Sequence, residues 1–407
     1  MRNLPALPTL RLTTISRSGS SSVRVTTTGA DPRLAGGRLA VDLDALAANW
    51  RDLAERSKPA RCSAVVKADA YGLGVEHVVP VLLGAGCESF FVALPEEGVA
   101  VRRIAPKADV FILNGVHEHS AATMVEAGLI PILSSLDQID LWARFGRERG
   151  VHPPCAIGVD TGMNRLGLTV EEALAFRKRN MEEHLVSPVL VMSHLACGDR
   201  ADHPMNTAQR ESFQRVAAAF DDIDSSLANS AGVMLGDGFL FDVTRPGIAI
   251  YGGCASRDRP NPMRPVITLE ARIVQLRRAA RGETVSYGAA QTLQRDTVIA
   301  VVSVGYADGY PRAGSGAGVP LRDAVSPGQH GHIGGVTVPL LGRITMDLTL
   351  FDVTDVPAEA LEQGWIELIG PNIPLDDAAE AAGTIGYELL TGLGPRYERR
   401  YLKAVES

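Results

Sequence analysis

The sequence predicts an α/β protein with an N-terminal (β/α)8 barrel of the TIM type, followed by a mostly β C-terminal domain. The chain has 407 residues, enough for two or three domains at roughly 100–200 residues each. Short apolar runs alternate with helical patterns through the first two thirds of the folded part. After Met263 the pattern changes to short β-rich runs separated by glycine and proline.

The first 36 residues differ in composition from the rest of the chain. They hold five arginines, eleven serines and threonines and a single acid, Asp31. This composition resembles a transit peptide but lacks the apolar region of a secretory signal. We expect residues 1–36 to be a disordered tail, with folding to begin near Arg38. A short strand at 39–43 and a helix at 43–55 are predicted next.

The barrel is predicted over residues 37–265. Strands that are apolar along their whole length and alternate with helices indicate parallel βα units. Eight such strands in roughly 190 residues suit a closed barrel better than a doubly wound sheet. The predicted strands are 63–67, 89–93, 109–113, 130–133, 155–159, 189–193, 227–229 and 248–251, and the predicted helices are 75–83, 96–104, 121–127, 136–149, 170–180 and 207–220.

A β-rich domain is predicted over residues 266–407, and the strand near 38–42 is a candidate member of it. No helix is expected there before Leu375. The predicted strands are 266–276, 284–290, 298–305, 336–341 and 365–369.

Composition excludes several classes of protein. The chain is 45% hydrophobic and 21% charged, as soluble proteins are, and 40 basic against 47 acidic residues give a net charge of −7. That balance argues against nucleic-acid binding, and no charge-free apolar run approaches the ~20 residues that span a bilayer. Five widely spaced cysteines without a C-x-x-C pair predict neither disulfides nor a metal site. We expect a cytoplasmic enzyme without a metal.

A lysine stands where the first barrel strand ends. The active site of such a barrel lies at the carboxyl ends of its strands, and Lys67 follows the apolar run 63–66. Desolvation disfavours an ammonium group, so a lysine there gains nucleophilicity and can form an imine. A lone strand-end lysine is more often a surface residue whose amine reaches water. Tyr71, four residues later, and the glycines on either side of Leu73 favour the functional interpretation.

Later strand ends carry matching groups. The fifth leads to Arg165, the sixth to His194, the seventh to Asn229 and Ser230, and the eighth region begins at Arg245. Glycines and hydroxyl groups after the late strands are typical of a phosphate site. A lysine, a histidine, two arginines and an anion site suit pyridoxal phosphate, a phosphorylated carbonyl cofactor held by a lysine imine.

The segment 64–74, Ala-Val-Val-Lys-Ala-Asp-Ala-Tyr-Gly-Leu-Gly, is similar to the signature of the alanine racemase family. The resemblance extends in order over residues 38–407 and implies a pyridoxal-phosphate barrel with a β domain, acting on alanine as a homodimer with shared active sites. Further matching segments are 160–167, 193–196, 245–252, 284–289, 305–309 and 342–347.

The resemblance also implies roles for single residues. Lys67 would hold the cofactor and act as one catalytic base, and Tyr287 of the partner subunit would be the opposing base. Arg245 would hydrogen-bond the pyridine nitrogen and keep it unprotonated. Arg165 would contact the cofactor phenolate and orient Tyr287, and His194 would brace the ring. The other implied cofactor contacts are Tyr71, Asn229, Ser230, Gly247 and Ile248, and the implied substrate contacts are Arg165, Tyr306, Met346 and Asp347.

Four positions depart from the family pattern. Gly158 stands where members often carry a carbamylated lysine, so another group or an anion must support Arg165. Thr345 replaces a common cysteine, Leu73 replaces a histidine, and Gly392 stands where many members place a phosphate-binding tyrosine. None of these changes removes either of the two catalytic bases, Lys67 and Tyr287.

The predicted function is interconversion of L- and D-alanine by two bases, supplying D-alanine for peptidoglycan. Proton removal on one face and delivery on the other require the two bases on opposite faces of the substrate. For Tyr287 to act at neutral pH, neighbours such as Arg165 must lower its pKa. The alternatives are a racemase of broader specificity, a barrel-fold pyridoxal-phosphate decarboxylase of basic amino acids and a non-enzymatic pyridoxal-phosphate carrier. Tyr287 and the second domain favour the racemase.

Overall fold

The computed structural model describes residues 23–323 and 328–404. Within them the chain divides into two compact units. The barrel unit comprises residues 46–263, and the β unit comprises 23–45 together with 264–404.

The N-terminal segment differs from the expected tail. Strand β1, Val23–Gly29, pairs antiparallel along its whole length with the last strand, Glu398–Ala404. Its valines and threonines are β-branched and fit a pleated strand, a signal that the tail-like composition obscured. Strand β2, Gly37–Asp42, and helix α1, Leu43–Ser57, follow. Residues 1–22 of the expected tail lie outside the described part.

The barrel unit confirms the predicted fold class. Seven parallel strands form one sheet in the order β10-β9-β8-β7-β6-β5-β4, and β11 pairs with β3. Backbone hydrogen bonds join β11 to the next segments on both sides, from Ser63 N–H to Thr244 O and from Arg245 N–H to Ala228 O. The strands are β3 Arg61–Cys62, β4 Ala64–Val65, β5 Ser89–Val92, β6 Asp109–Ile112, β7 Ile130–Leu133, β8 Pro154–Gly158, β9 Ser187–Met192, β10 Asp224–Ser226 and β11 Val243–Thr244.

Helices alternate with these strands. Several of them begin with a side-chain cap; for example, the Ser135 hydroxyl accepts from Gln138 N–H. They are α2 Val75–Ala85, α3 Pro95–Ile104, α4 Ala121–Glu126, α5 Leu136–Arg149, α6 Val170–Glu183, α7 Pro204–Ala219 and α8 Ser230–Leu235.

Two predicted strands are misplaced. The runs 227–229 and 248–251 lie in the segments that follow β10 and β11, and neither run is a strand. Leu227 and Ile248 are nonetheless buried. An apolar run of three or four residues marks burial and does not distinguish a strand from the buried segment after it.

The β unit is built on a sheet of nine strands. Its main path runs β1-β20-β2-β12-β19-β16-β17, with β15 pairing β12 and β18. A helix, α9, lies before Leu375, where none was expected. The elements are β12 Ile267–Ala279, β13 Thr284–Val285, β14 Gln291–Thr292, β15 Thr297–Val302, β16 His330–Ile333, β17 Val336–Pro339, β18 Thr349–Asp352, α9 Ala358–Leu361, β19 Trp365–Ile369, α10 Leu375–Ala381, α11 Gly386–Gly392 and β20 Glu398–Ala404.

No helix among the described residues has the length and apolar character to cross a bilayer. The same residues contain no cluster of three or more His, Cys, Asp or Glu side chains suited to a metal ion. All five cysteines are free thiols.

Candidate active site

Lys67 opens a left-handed helical turn, Lys67–Tyr71, directly after β4. The φ angles from Ala68 to Tyr71 are 52° to 57°. For residues other than glycine this conformation costs about 1–2 kcal/mol each. Ala70 N–H donates to Val66 O at 3.0 Å and Gly72 N–H to Ala68 O at 2.7 Å. The barrel therefore holds a strained backbone at its candidate nucleophile.

The amine of Lys67 is half-buried. Burial lowers its pKa from the ordinary lysine value, and the nearby Arg165 cation lowers it further, while Glu97 opposes the shift. A lowered pKa increases the fraction of neutral amine at neutral pH, and the neutral amine is the form that attacks a carbonyl or accepts a proton.

Arg165 lies in the loop after β8. The carboxylate of Asp160 accepts hydrogen bonds from Gly162 N–H at 2.7 Å, Met163 N–H at 2.8 Å and Arg165 N–H at 3.1 Å. These three bonds fix the loop that carries the guanidinium. At Gly158 a Cβ atom would lie 2.7 Å from the Oγ of Ser134. The Ser134 hydroxyl thus borders the space that a longer side chain at Gly158 would enter.

Arg245 is a buried cation, 3% exposed. It donates to Ser193 O at 2.6 Å, to Leu227 O at 3.4 Å and to the hydroxyl of Ser226. Each of these acceptors is neutral. Burial lowers the pKa of Arg245 to about 9, which still leaves it charged at neutral pH. A buried charge without a counterion is costly, so its place suits a ligand that accepts from it.

His194 is a neutral imidazole among cations. Burial, then Arg245, Arg165 and Lys67, lower its pKa to about 3. Its Nε2 lies 3.5 Å from Nδ2 of Asn229. Because the ring stays uncharged at neutral pH, it offers a flat apolar face and adds no charge to the cationic site.

A cradle of hydroxyl and N–H groups lies around Gly247, two residues after Arg245 in the chain. The Ser230 Oγ accepts from Gly247 N–H at 2.8 Å and from Ala249 N–H at 3.4 Å, which leaves its own proton available to donate. A Cβ atom on Gly247 would overlap the hydroxyl oxygen of Tyr71. Ser230, Gly247 and Tyr71 are therefore gathered at one place, with Ile248 next in the chain. The hydroxyl groups of Ser230 and Tyr71 suit a phosphate group.

The remaining predicted residues lie in the β unit. Tyr287 begins a 3-10 turn after β13 and is 73% exposed. Tyr306 and Met346 are 42% and 54% exposed. Backbone bonds join their loops, from Tyr306 N–H to Thr345 O and from Ala307 N–H to Met346 O, both 3.0 Å.

A guanidinium braces the same two loops of the β unit. Arg396 contacts Asp308 in the Tyr306 loop at 2.6 Å and Asp347 at 2.8 Å. Tyr306, Met346 and Asp347 are thus brought together, while the predicted cofactor residues are gathered in the barrel unit.

Two contributors were missed by the sequence reasoning. Tyr251 stacks on Tyr71 with the ring centroids 4.5 Å apart, and its hydroxyl donates to Val65 O at 2.9 Å. Glu97 accepts from Ala68 N–H at 2.6 Å. Tyr251 lies in the motif 245–252, but nothing in the sequence assigned it a role. The only sequence feature that could have pointed to Glu97 is its position in the first turn of a predicted helix.

Two family models and several known proteins match most of this chain. The family model for the alanine racemase N-terminal domain matches residues 41–255, and that for the C-terminal domain matches 266–401. A biosynthetic alanine racemase of Agrobacterium fabrum is 55% identical over 368 residues, 90% of this chain and 94% of that protein. An alanine racemase of Rhizobium meliloti is 53% identical over 369 residues, 90% of this chain and 97% of that one.

A solved structure extends the likeness to three dimensions. It is the crystal structure of alanine racemase from Bartonella henselae with covalently bound pyridoxal phosphate. It matches with a TM-score of 0.83 at 37% identity, over 90% of this chain and 99% of that one. With both domain models matched and close relatives along most of its length, the chain belongs to the alanine racemase family.

Proposed function

We propose that this chain interconverts L-alanine and D-alanine with pyridoxal phosphate, using Lys67 and the partner subunit's Tyr287 as its two bases. The observation that carries the proposal is the convergence of Lys67, Arg165, His194 and Arg245. A partly neutral amine, two cations and a neutral ring beside a hydroxyl cradle suit this cofactor and the proton transfers at Cα.

The residues of the barrel unit fit the cofactor. When bound, pyridoxal phosphate delocalises the electron pair left on Cα, which makes the Cα proton removable. Lys67 would hold its carbonyl carbon and Arg245 would donate to its pyridine nitrogen. His194 would lie against its ring. Its phosphate would be held by Tyr71, Ser230, Gly247 and Ile248. Asn229, whose amide lies near the His194 ring, would be a further cofactor contact.

Lys67 and Tyr287 divide the proton transfer between them. Lys67 accepts or returns the Cα proton on one face, and burial favours its neutral form. The partner subunit's Tyr287 acts on the other face, and the Arg165 cation stabilises its phenolate. The tyrosine is 73% exposed in a single chain, and so it is accessible to a second copy.

Arg245 limits side reactions. Its guanidinium is charged at neutral pH, and a cation donating to the pyridine nitrogen prevents that nitrogen from gaining a proton. With the cofactor bound, this contact would reduce electron withdrawal from the substrate. It would thereby favour return of the proton to Cα by Lys67 or by the partner subunit's Tyr287, which completes racemisation.

Alanine is the substrate that the relatives favour. The chain is 55% identical to the biosynthetic enzyme of Agrobacterium fabrum and 40% identical to the catabolic one of the same organism. This difference supports a role in supplying D-alanine for peptidoglycan. Tyr306, Met346 and Asp347 would contact the substrate and set its size.

We propose that the active form is a cytoplasmic homodimer with shared active sites. Five free thiols suit a reducing compartment. Exposure of Tyr287, Tyr306 and Met346 in one chain suits their use by a second copy.

Isotope exchange in D2O tests the activity. The purified protein loaded with pyridoxal phosphate is mixed with L-alanine, and the Cα–H signal and optical rotation are followed together. We expect exchange at Cα with loss of rotation, and the same end point starting from D-alanine. Retained chirality without exchange would contradict the proposal, and basic amino acids would then be tested for racemisation and CO2 release.

Gly247→Ala tests the phosphate cradle. The new methyl group would overlap the Tyr71 hydroxyl, so the tyrosine must move away. We expect the dissociation constant for pyridoxal phosphate to rise at least tenfold, equivalent to about 1.4 kcal/mol, in a titration followed by absorbance. The control is Gly84→Ala in α2, where a Cβ atom meets nothing within 4 Å. Equal constants for the two variants would contradict the assignment.

A further inference from the structure

We propose that Glu97 is a positioning residue for Lys67. Its carboxylate fixes the backbone directly after the lysine and places a negative charge beside the amine. The inference rests on the proposed function, because it concerns the lysine that binds the cofactor and moves the proton. No role was attached to this glutamate by its sequence context.

Glu97 joins two rim segments of the barrel through one carboxylate. One oxygen accepts from Ala68 N–H, in the turn after β4, at 2.6 Å. The other accepts from Ala93 N–H at 2.8 Å and Leu94 N–H at 3.0 Å, in the segment after β5. Hydrogen bonds to a charged acceptor are roughly twice as strong as neutral ones. Helix α3, which carries Glu97, thereby ties the lysine segment to its neighbour.

The hydrogen bond from Ala68 N–H to Glu97 lies where the backbone is strained. Ala68 has φ 52° and ψ 51°, and the two residues after it are similar. Such conformations persist only when the surroundings fix them. Within the turn, Ala70 N–H donates to Val66 O and Gly72 N–H donates to Ala68 O, so these bonds engage the carbonyl of Ala68 and not its N–H. Glu97 accepts from that N–H, at the residue bonded to Lys67.

The charge of Glu97 also acts on the amine. Arg165 after β8 lowers the pKa of Lys67, whereas Glu97 raises it. His194 after β9 is neutral and lies in the field of Lys67, Arg165 and Arg245. Among these groups Glu97 is the anion. Its loss removes the opposition to Arg165 and lowers the pKa of Lys67 further.

Two substitutions separate position from charge. Glu97→Gln keeps the length of the side chain and removes the charge, and its amide can accept through one oxygen only. Glu97→Asp keeps the charge and is one methylene too short to reach both segments. The matched control is Glu172→Gln in α6. Glu172 is also the third residue of its helix and accepts from Thr169 N–H at 2.8 Å.

The measurements are the dissociation constant for pyridoxal phosphate and the pH profile of kcat in both directions. We expect both Glu97 variants to raise the constant about tenfold. In Glu97→Gln, but not in Glu97→Asp, the acid limb of the kcat profile should move to lower pH by about half a unit or more. This shift is expected in the reaction direction in which Lys67 accepts the proton. Glu172→Gln should change neither quantity.

The inference is overturned if Glu97→Gln leaves both quantities unchanged, or if Glu172→Gln changes them equally. If Glu97→Gln does not fold, the constant for Glu97→Asp decides the positioning role: a tenfold rise supports it and an unchanged value rejects it. Absence of racemisation in the unmodified enzyme would reject the proposed function instead, and the cofactor constants would still test Glu97.

Discussion

Lys67→Ala is expected to lower the racemisation rate by about 10⁴-fold or more in both directions. The variant loses the amine that holds the cofactor and one of the two groups that move the proton, and a positioned acid or base alone contributes about 10²–10⁴-fold. Rates are measured from each enantiomer of alanine. Borohydride reduction of the loaded enzyme, followed by mass spectrometry, should find the cofactor on the Lys67 peptide of the unmodified chain and nowhere in the variant.

Lys58→Ala provides the control for this experiment. Lys58 is an exposed lysine paired with Glu55 at 2.8 Å, so its loss should leave both the rate and the labelled peptide unchanged. Activity of Lys67→Ala within tenfold of the unmodified enzyme would contradict the assigned role.

Tyr287→Phe is expected to lower the rate by about 10²–10⁴-fold, because the phenyl ring can neither give nor take a proton. Mixing this variant with Lys67→Ala should restore activity. In a hybrid dimer with shared sites, one site carries both defects and the other carries neither. Random exchange makes half of the dimers hybrid, so about a quarter of the normal activity should return. The measurement is the rate before and after subunit exchange.

Tyr387→Phe is the matched control for the tyrosine. Tyr387 is also exposed in the β unit, and its loss should leave the rate unchanged. Unchanged turnover in Tyr287→Phe would reject its role as a base. A low rate in both single variants without recovery on mixing would reject shared active sites.

The barrel was predictable because alternation of buried strands and helices is a long-range pattern. The class and the family were confirmed by the structure and by the matching domain models. The positions of single strands were less predictable from the sequence. The run 248–251 is as apolar as a strand but lies after β11, Val243–Thr244, which is too short to give a period. The strand Val23–Gly29 was missed because composition outweighed its local pattern.

Most charged residues of the candidate site were predictable from strand ends. The backbone turn and the side chain that hold Lys67 in place were not. Lys67, Arg165 and His194 each follow a predicted strand, and their side chains made them conspicuous. Arg245 stands before the predicted run 248–251, and in the structure it follows β11. The turn after Lys67 has no glycine in its first four positions, so its positive φ angles contradict local preference. Glu97 was hidden because Leu94 replaces the usual Ser or Thr at the start of its helix.

The sheet order of the β unit has a consequence for biosynthesis. The last strand, Glu398–Ala404, lies between the two N-terminal strands and pairs with both. On the ribosome, β1 and β2 emerge first, and they cannot pair with the last strand until the intervening residues have been translated. The barrel unit is continuous in sequence and can fold during that interval. The order of synthesis therefore favours a completed barrel before the β unit closes.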